Sequence, residues 1–337
     1  MSPQQPPLDG YEFGFETYLD SNTLRQMQPD HHGRDIYDSQ SLSDSIAMSY
    51  KEFGRTYHSY RAGSYHYPND PTEAERLDEQ YEILKEMMDG RLHFAPFSRE
   101  HPPSKVLDLA TGTGIWAIEF GDEYPEAEVI GTDLSPIQPA FVPPNVRFFI
   151  EDSAEDWDYP RDFDFIHTRI TLGCWSDMQR QIMQRSFEHL RPGGWLECQE
   201  VMVEPHCDDG TMLSDFPLLR WSHELMQASE MAGRQIRMEH NIKKWMEAVG
   251  FVNVREVIIK IPIGGWSKDR RLRQIGLLWQ WNLMSGMSAF TLGLFSRVLG
   301  RTIENIQVSL VETRQSLFDP EVHTYQKFYI VTGQRPK

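Results

Sequence analysis

The chain has 337 residues and a formal net charge of −17 at pH 7. An acidic surface disfavours sequence-independent binding to DNA or RNA, which needs basic residues to displace counterions. No apolar run reaches the roughly 18 to 20 residues that cross a bilayer, and the first residues lack a signal-peptide pattern. Three cysteines without a CxxC pair indicate a reducing compartment and no metal site. These properties predict a cytoplasmic or nuclear protein with no direct contact to nucleic acid or membrane.

The first hundred residues divide into two parts by composition. Residues 1–50 are rich in Pro, Gln, Asp and Ser with little periodicity, which predicts a mostly disordered tail. Residues 51–100 begin with a stretch dense in Tyr, His and Arg and continue with a helical pattern over 71–90, for which Thr72 is the expected cap. This second part is predicted to form an N-terminal helical lid.

The pattern over residues 101–337 predicts one α/β domain. Short apolar segments typical of strands alternate with helical segments, which predicts parallel βαβ units with ligands at the carboxyl ends of the strands. The predicted strands cover 105–110, 127–134, 146–152, 163–170 and 195–202, and the helices between them cover 115–124 and 179–190. Helical insertions are predicted at about 207–249 and 266–318, with helices over 269–290 and 295–318 in the second, and further strands over 252–263 and 322–336.

A glycine-rich turn follows the first predicted strand of this domain. Gly112, Gly114 and Ala117 fit the pattern G-x-G-x-x-[GA], in which glycines let a ligand approach the backbone at a helix start. Asp133 lies at the end of the next predicted strand, where a carboxylate can accept hydrogen bonds from both hydroxyls of a ribose. These features alone are also compatible with an enzyme that binds a dinucleotide.

Further features distinguish between nucleotide cofactors. Asp108 precedes the turn, giving D-x-A-x-G-x-G, and an acid there suits a ligand with an amine-bearing end. Asp152 and Ser153 end the third strand, where they can meet an adenine amine, and "LRPGGWLE" leads into the fifth strand. Together these features resemble the class I S-adenosylmethionine-dependent methyltransferases. The resemblance implies a Rossmann-like α/β fold with a seven-stranded sheet whose last strand is antiparallel.

Longer segments support a closer resemblance. Over roughly residues 52–337 the chain is similar to the fungal LaeA-like methyltransferases, in the segments "GRTYHSYRAGSYHYPNDPTEAERLD", "GTGIWAIEFGDEYPEAEVIGTDLSPIQP", "HLRPGGWLE" and "FDPEVHTYQKF". The group is linked to the regulation of secondary metabolism, and it also contains biosynthetic enzymes that methylate small molecules or peptides.

The resemblance implies S-adenosylmethionine as the cofactor, with S-adenosylhomocysteine as the product, and it assigns cofactor contacts by motif position. Asp108 is expected near the methionine amine and Asp133 at the ribose. The other expected cofactor-binding residues in the α/β domain are Ala110, Gly112, Gly114, Leu134, Gln138, Asp152, Ser153 and His167.

The Tyr-rich stretch before the first helix adds two expected cofactor contacts if it folds as a lid over the methionine end. Arg61 would then pair with the carboxylate of the cofactor, and Tyr57 would lie beside it. The alternative is that the aromatic residues of this stretch only pack the first helix onto the sheet.

Two further groups of residues are expected on the side of the methyl acceptor. The catalytic candidates are His167 and Arg169, at the end of the fourth predicted strand. The resemblance implies that this strand ends beside the transferring methyl group. His167 is a candidate general base, or else a strand-end histidine held by hydrogen bonds. The expected substrate-pocket residues come from the lid and the insertions: Tyr65, His66, Trp221, Trp266 and Trp281. For the large apolar side chains of the insertions, the alternative is a place in the core or on a face for a partner protein, where such residues are found more often.

Three functions stay open at the level of sequence. The leading hypothesis is methyl transfer to an O or N atom of a small secondary metabolite or a modified peptide. The second is a nuclear regulator of secondary metabolism that methylates protein or acts with a regulatory protein partner. The third is a cofactor-binding scaffold with vestigial activity. The intact Asp108, Gly112, Gly114 and Asp133 favour real cofactor binding, but they do not separate an enzyme from a sensor.

Overall fold

A computed structural model describes residues 49–59 and 65–337 of the chain. Most of the predicted tail, residues 1–48, and the expected cofactor contact Arg61 lie outside the described residues. Ser49 and Tyr50, which the tail prediction included, belong to a short strand. Within the described ranges, no helix is long and apolar enough to cross a bilayer.

The described residues form nine strands. They are β1 (Ser49–Glu52), β2 (Arg55–His58), β3 (Lys105–Leu109), β4 (Glu128–Asp133), β5 (Val146–Ile150), β6 (Phe163–Arg169), β7 (Leu190–Val201), β8 (Val252–Pro262) and β9 (Tyr325–Gln334). Strands β3 to β9 form one sheet in the order β5-β4-β3-β6-β7-β9-β8. The five strands β3 to β7 pair in parallel, whereas β9 is antiparallel to both of its neighbours. This confirms the predicted seven-stranded sheet with an antiparallel last strand.

Helices cover the sheet and extend beyond it. They are α1 (Pro71–Met87), α2 (Ile115–Glu123), α3 (Arg185–His189), α4 (Pro217–Met231), α5 (Ile242–Val249), α6 (Arg270–Arg297) and α7 (Ile303–Ser316), and a π-helical turn, Gln179–Gln184, precedes α3. The cap of α1 is Asp70 and not Thr72, because the Asp70 carboxylate accepts a hydrogen bond from the Glu73 amide at 3.1 Å. Pro71 then occupies the first helical position, where its missing N–H costs nothing.

The second insertion differs from the prediction in where its helices end. The first helix does not stop at residue 290 but continues to Arg297 as one helix of 28 residues. Gly293 lies inside this helix, where a Cβ atom would come within 2.6 Å of the His66 carbonyl oxygen. The glycine therefore allows the backbone at His66 to approach the helix. The next helix begins at Ile303 with Thr302 as its cap. Between the two helices, Gly300 adopts the left-handed conformation, with a φ of 64°.

Strands β3 and β6 position the functional site. Both consist almost entirely of buried residues, as expected for strands covered on both faces. Their register places Asp108 opposite His167, close to the carboxyl ends of both strands. Two polar side chains are thus held next to each other at the edge of the sheet where α/β proteins bind ligands.

The contact between α6 and the segment after β8 provides a test of packing. A Cβ atom on Gly276 would overlap the carbonyl oxygen of Gly264 and lie 3.0 Å from the Pro262 side chain. We expect Gly276→Ala to lower the free energy of unfolding by about 1–3 kcal/mol, as measured by urea denaturation, because overpacking outweighs the gain in helix propensity. Gln274→Ala, at an exposed position of the same helix, should change it by less than about 0.5 kcal/mol. Equal stability of Gly276→Ala and the wild type would contradict the packing described here.

Candidate functional site

A cavity lies at the carboxyl ends of β3 and β6, beneath α1. Its walls come from the sheet edge, the glycine turn and α1, and include Asp108, Ala110, Gly112, Asp133, His167 and Arg169 from the predicted site. The enclosed space measures about 120 Å³. Pockets for small molecules usually start at roughly 300 Å³, so this space can enclose one end of a nucleoside cofactor but not all of it.

The glycine turn has a backbone that side chains would disturb. Ala110, Gly112 and Gly114 all have positive φ angles, of 53°, 60° and 82°. Gly114 caps the start of α2 in the left-handed conformation, and a Cβ atom there would overlap the ring of Phe148. Both the conformation and the lack of space therefore require glycine at 114, which explains the motif in physical terms.

Asp133, at the end of β4, and Gln138, in the segment after it, hold the turn by hydrogen bonds. The two carboxylate oxygens of Asp133 accept hydrogen bonds from the Gly112 amide at 2.9 Å and the Ser135 amide at 2.8 Å. Gln138 donates to the Gly112 carbonyl at 2.6 Å. Burial, together with the charge of Asp108, raises the pKa of Asp133 to about 6. The carboxylate is thus ionised at neutral pH, and each oxygen retains a lone pair that can accept a hydrogen bond from a hydroxyl group.

Asp108 and His167 form a buried hydrogen-bonded pair. The Nδ1 atom of His167 lies 2.7 Å from one carboxylate oxygen of Asp108, and the Thr111 hydroxyl donates to the other at 2.5 Å. The imidazole stacks on Trp116 with 3.8 Å between ring centres and has no exposure to solvent. Burial lowers the pKa of His167. The ring is therefore neutral at pH 7, with its proton on Nδ1 facing the carboxylate and a lone pair on Nε2.

Arg169 extends the same row of polar side chains. Its Nε atom donates to Gln199 Oε1 at 2.8 Å, and one terminal nitrogen donates to the Leu92 carbonyl at 3.1 Å. The guanidinium lies over the ring of Tyr81, 5.1 Å from its centre. Glu197, on the next strand, lies outside the cavity and accepts hydrogen bonds from the amides of Phe94 and Ala95.

Helix α1 supplies lining residues that the sequence motifs did not indicate. Leu77, Gln80, Tyr81 and Leu84 line the cavity. The helix is fixed to the glycine turn by Asp78, which accepts a hydrogen bond from the Thr113 hydroxyl at 2.5 Å, and to α2 by Tyr81, which donates to Glu119 at 2.6 Å. In the sequence, the apolar face of the predicted helix indicated that these residues would be buried. Periodicity alone, however, does not distinguish a cavity wall from a core.

The residues expected at the adenine do not line this cavity. Ser153 accepts a hydrogen bond from the Trp175 indole at 2.9 Å, and Asp152 accepts one from the Ala154 amide at 2.9 Å. Leu134 is partly buried beside Asp133. Because the enclosed space is too small for a whole nucleoside, contacts of these residues with adenine stay predictions.

One aromatic residue expected in the lid, Tyr65, contributes to the cavity wall. Tyr65 lines the cavity together with Cys174. Tyr57, by contrast, is fully buried on β2, with the guanidinium of Arg297 5.0 Å from its ring centre. His66 is buried near Gly293 of α6. The structure thus places Tyr57 and His66 away from the cavity wall, and their predicted roles in binding stay untested.

The three tryptophans expected in a substrate pocket lie apart from the cavity. Trp221 is buried and donates to the Thr291 hydroxyl at 2.9 Å. Trp266 donates to the Thr324 carbonyl at 2.8 Å. Trp281 is 59% exposed and packs against Phe318. The structure does not bring these side chains together, so a shared acceptor pocket made from them stays a prediction.

The chemistry of the donor set fits S-adenosylmethionine. Asp133 offers a carboxylate beside a glycine turn, as a ribose requires, and Asp108 offers a second carboxylate one strand away. A buried nitrogen of Arg169 and Nε2 of His167 have no hydrogen-bond partner within the described residues. A nucleoside with an amino-acid end carries groups that complement the two carboxylates and the guanidinium.

Comparisons with known proteins agree with this chemistry. The profile of a methyltransferase domain matches residues 77–256. The chain is 40% identical to the methyltransferase pytC of Aspergillus terreus, over 88% of this chain and 91% of that protein. It is 36% identical to the secondary metabolism regulator LAE1 of Cochliobolus heterostrophus, over 86% and 95%. It is 35% identical to the secondary metabolism regulator laeA of Aspergillus fumigatus, over 85% and 77%.

Solved structures are more distant. Phosphoethanolamine N-methyltransferase 2 of Haemonchus contortus aligns with a TM-score of 0.44 at 17% identity, over 77% of this chain and 53% of that one. The assignment therefore depends on the sequence relatives and the matched domain. By these criteria the chain belongs to the family of S-adenosylmethionine-dependent methyltransferases that includes the LaeA-type regulators of secondary metabolism.

Proposed function

We propose that this protein transfers a methyl group to an O or N atom of a small secondary metabolite or a modified peptide. The observation that supports enzymatic activity is the complete row of polar groups in the cavity, Asp108, His167, Arg169 and Asp133, each held by hydrogen bonds. A relative named as a methyltransferase, pytC, is 40% identical to this chain over 298 aligned residues, which supports an enzyme over a scaffold.

Bound S-adenosylmethionine supplies an electrophilic methyl group on a sulfonium. The main task of the protein is therefore to position the cofactor and the acceptor and to exclude water from them. Asp133 accepts the ribose hydroxyls while Gly112 and Gly114 allow close approach of the backbone. Asp108 faces the amine, and His167 orients that carboxylate by donating from Nδ1. Helix α1 covers the cavity and excludes water, which raises the reactivity of a correctly placed acceptor. We therefore assign His167 to the positioning of Asp108 and not to proton removal from the acceptor.

Asp133 allows a test of the cofactor assignment by pH. Its raised pKa, about 6, means that the carboxylate gains a proton and loses an acceptor as the pH falls below that value. At pH 5, roughly a tenth of the Asp133 carboxyl groups stay ionised. The affinity for S-adenosylhomocysteine, measured by calorimetry, should therefore weaken by up to about tenfold between pH 7.5 and pH 5. Asp133→Asn should bind at least about tenfold more weakly at pH 7.5, and its residual binding should lack that pH dependence.

A matched control for this test is Asp122→Asn, at an exposed aspartate of α2. It should retain both the affinity and the pH profile of the wild type. Wild-type affinity in Asp133→Asn would remove the ribose assignment.

The class of acceptor can be tested by following the methyl label. Purified protein should transfer tritiated methyl from S-adenosylmethionine to the small-molecule extract of the source organism, and Asp133→Asn should reduce that transfer at least about tenfold because it binds cofactor weakly. Label found only in the nuclear-protein or histone fraction would contradict the proposed acceptor and support protein methylation.

A regulatory function is the second candidate, because two observations favour it. Relatives at 35–36% identity are named secondary metabolism regulators. In addition, α6 and the segment after α7 present exposed apolar side chains, Leu277, Leu278, Trp281 and Phe318, of the kind that contact protein partners. A regulatory function would be supported over an enzyme if the wild type, but not Trp281→Glu, pulls down a stoichiometric protein partner. The support also requires that no methyl label reaches the small-molecule extract or the nuclear-protein fraction.

A further inference from the structure

Arg169 is a charged side chain with an incomplete set of partners. It lies at the end of β6 and lines the cavity. Its two hydrogen bonds within the described residues go to neutral acceptors, the side-chain oxygen of Gln199 and the carbonyl of Leu92. The Nη1 nitrogen is fully buried and has no acceptor among the residues that the structure describes. A guanidinium keeps its charge and its five N–H donors under all ordinary conditions, so a buried free donor favours the binding of an acceptor.

The position of Asp108 indicates what kind of acceptor fits. Asp108 and His167 are paired across β3 and β6, and Arg169 lies two residues further on the same face of β6. A carboxylate and a guanidinium therefore both reach the cavity from neighbouring strands. Each oxygen of Asp108 has one donor within the protein and retains a lone pair. An ammonium group and a carboxylate on one carbon atom would complement this pair of charges.

The surroundings of Arg169 hold the guanidinium in place without neutralising it. The guanidinium carbon lies over the ring of Tyr81, and the Tyr81 hydroxyl is fixed by donating to Glu119. The side chain of Gln199 is in turn fixed by donating to Glu197 at 2.6 Å. Fixed neighbours lower the entropy lost on binding, so a planar carboxylate would meet a guanidinium that is already oriented.

We propose that Arg169 binds the carboxylate of the amino-acid end of the cofactor, while Asp108 binds its ammonium group. This proposal rests on the proposed function and defines the subsite that gives the cavity its selectivity. It assigns to Arg169 the role that sequence reasoning gave to Arg61, and it makes Arg169 a binding residue instead of a catalytic one. The cavity accordingly selects nucleosides that carry a complete amino acid over nucleosides that have lost the carboxylate.

The test compares three ligands by calorimetry at pH 7.5. S-adenosylhomocysteine has both charged groups, its decarboxylated analogue keeps only the amine, and 5′-methylthioadenosine has neither. The wild type should bind S-adenosylhomocysteine at least about tenfold more tightly than the decarboxylated analogue, as expected for a charge-assisted hydrogen bond. Arg169→Gln should lose that preference, with at least about tenfold weaker binding of S-adenosylhomocysteine and unchanged binding of the other two ligands.

Two further variants make the result specific. Arg169→Lys keeps the charge without the planar fork, and it should recover part of the preference for the carboxylate. Arg314→Gln is the matched control, since Arg314 is partly buried, lies outside the cavity and, in the described part of the chain, bonds only the neutral groups of Ser288 and Gln307. It should bind all three ligands as the wild type does.

The possible outcomes separate this inference from the proposed function. Equal weakening of all three ligands in Arg169→Gln would show a structural role and overturn the carboxylate assignment. Unchanged affinity for S-adenosylhomocysteine would also overturn it and return the role to another cation such as Arg61. Failure of the wild type to bind any of the three ligands would instead overturn the proposed function, and this inference with it.

Discussion

The buried carboxylate of Asp108 connects the parts of this structure that function depends on. An ionised carboxylate in the interior is unstable without hydrogen bonds, and here the Thr111 hydroxyl and the His167 imidazole provide them. One donor belongs to the glycine turn and the other to the neighbouring strand. The same interaction therefore sets the shape of the turn, the tautomer of the histidine and the negative charge at the cavity wall.

The helical insertion contributes to the site indirectly, through α1. Arg76 of α1 donates to the Asn282 side chain at 3.0 Å, and Asn282 donates back to the Arg76 carbonyl at 2.9 Å. Both residues are buried, so this polar contact fixes α1 against α6 in one orientation. The insertion thus stabilises α1, the helix that covers the cavity, through residues that lie outside the cavity. Trp279 of α6 is buried in the core and does not line the cavity.

The sheet and the glycine turn could be predicted from sequence because their physical requirements are local. Buried parallel strands need short apolar runs, and a positive φ at the turn needs glycine. The extent of α6 could not be predicted in this way, because Gly293 suggests a helix end until the approach of the His66 carbonyl is known. The role of α1 in the cavity was equally hidden, since Gln80 and Tyr81 acquire it only through packing between distant segments. The hairpin of β1 and β2 depends on Arg297, more than two hundred residues away.

The position of β9 inside the sheet has a consequence for how the protein is made. Among the described strands, β8 pairs with β9 alone, and β9 separates it from β7. During synthesis, β8 leaves the ribosome about sixty residues ahead of its partner, with α6 and α7 in between. Its backbone amides and its valine and isoleucine side chains must therefore stay unpaired until Tyr325–Gln334 has emerged, an interval in which nascent chains are open to chaperones and to association with one another.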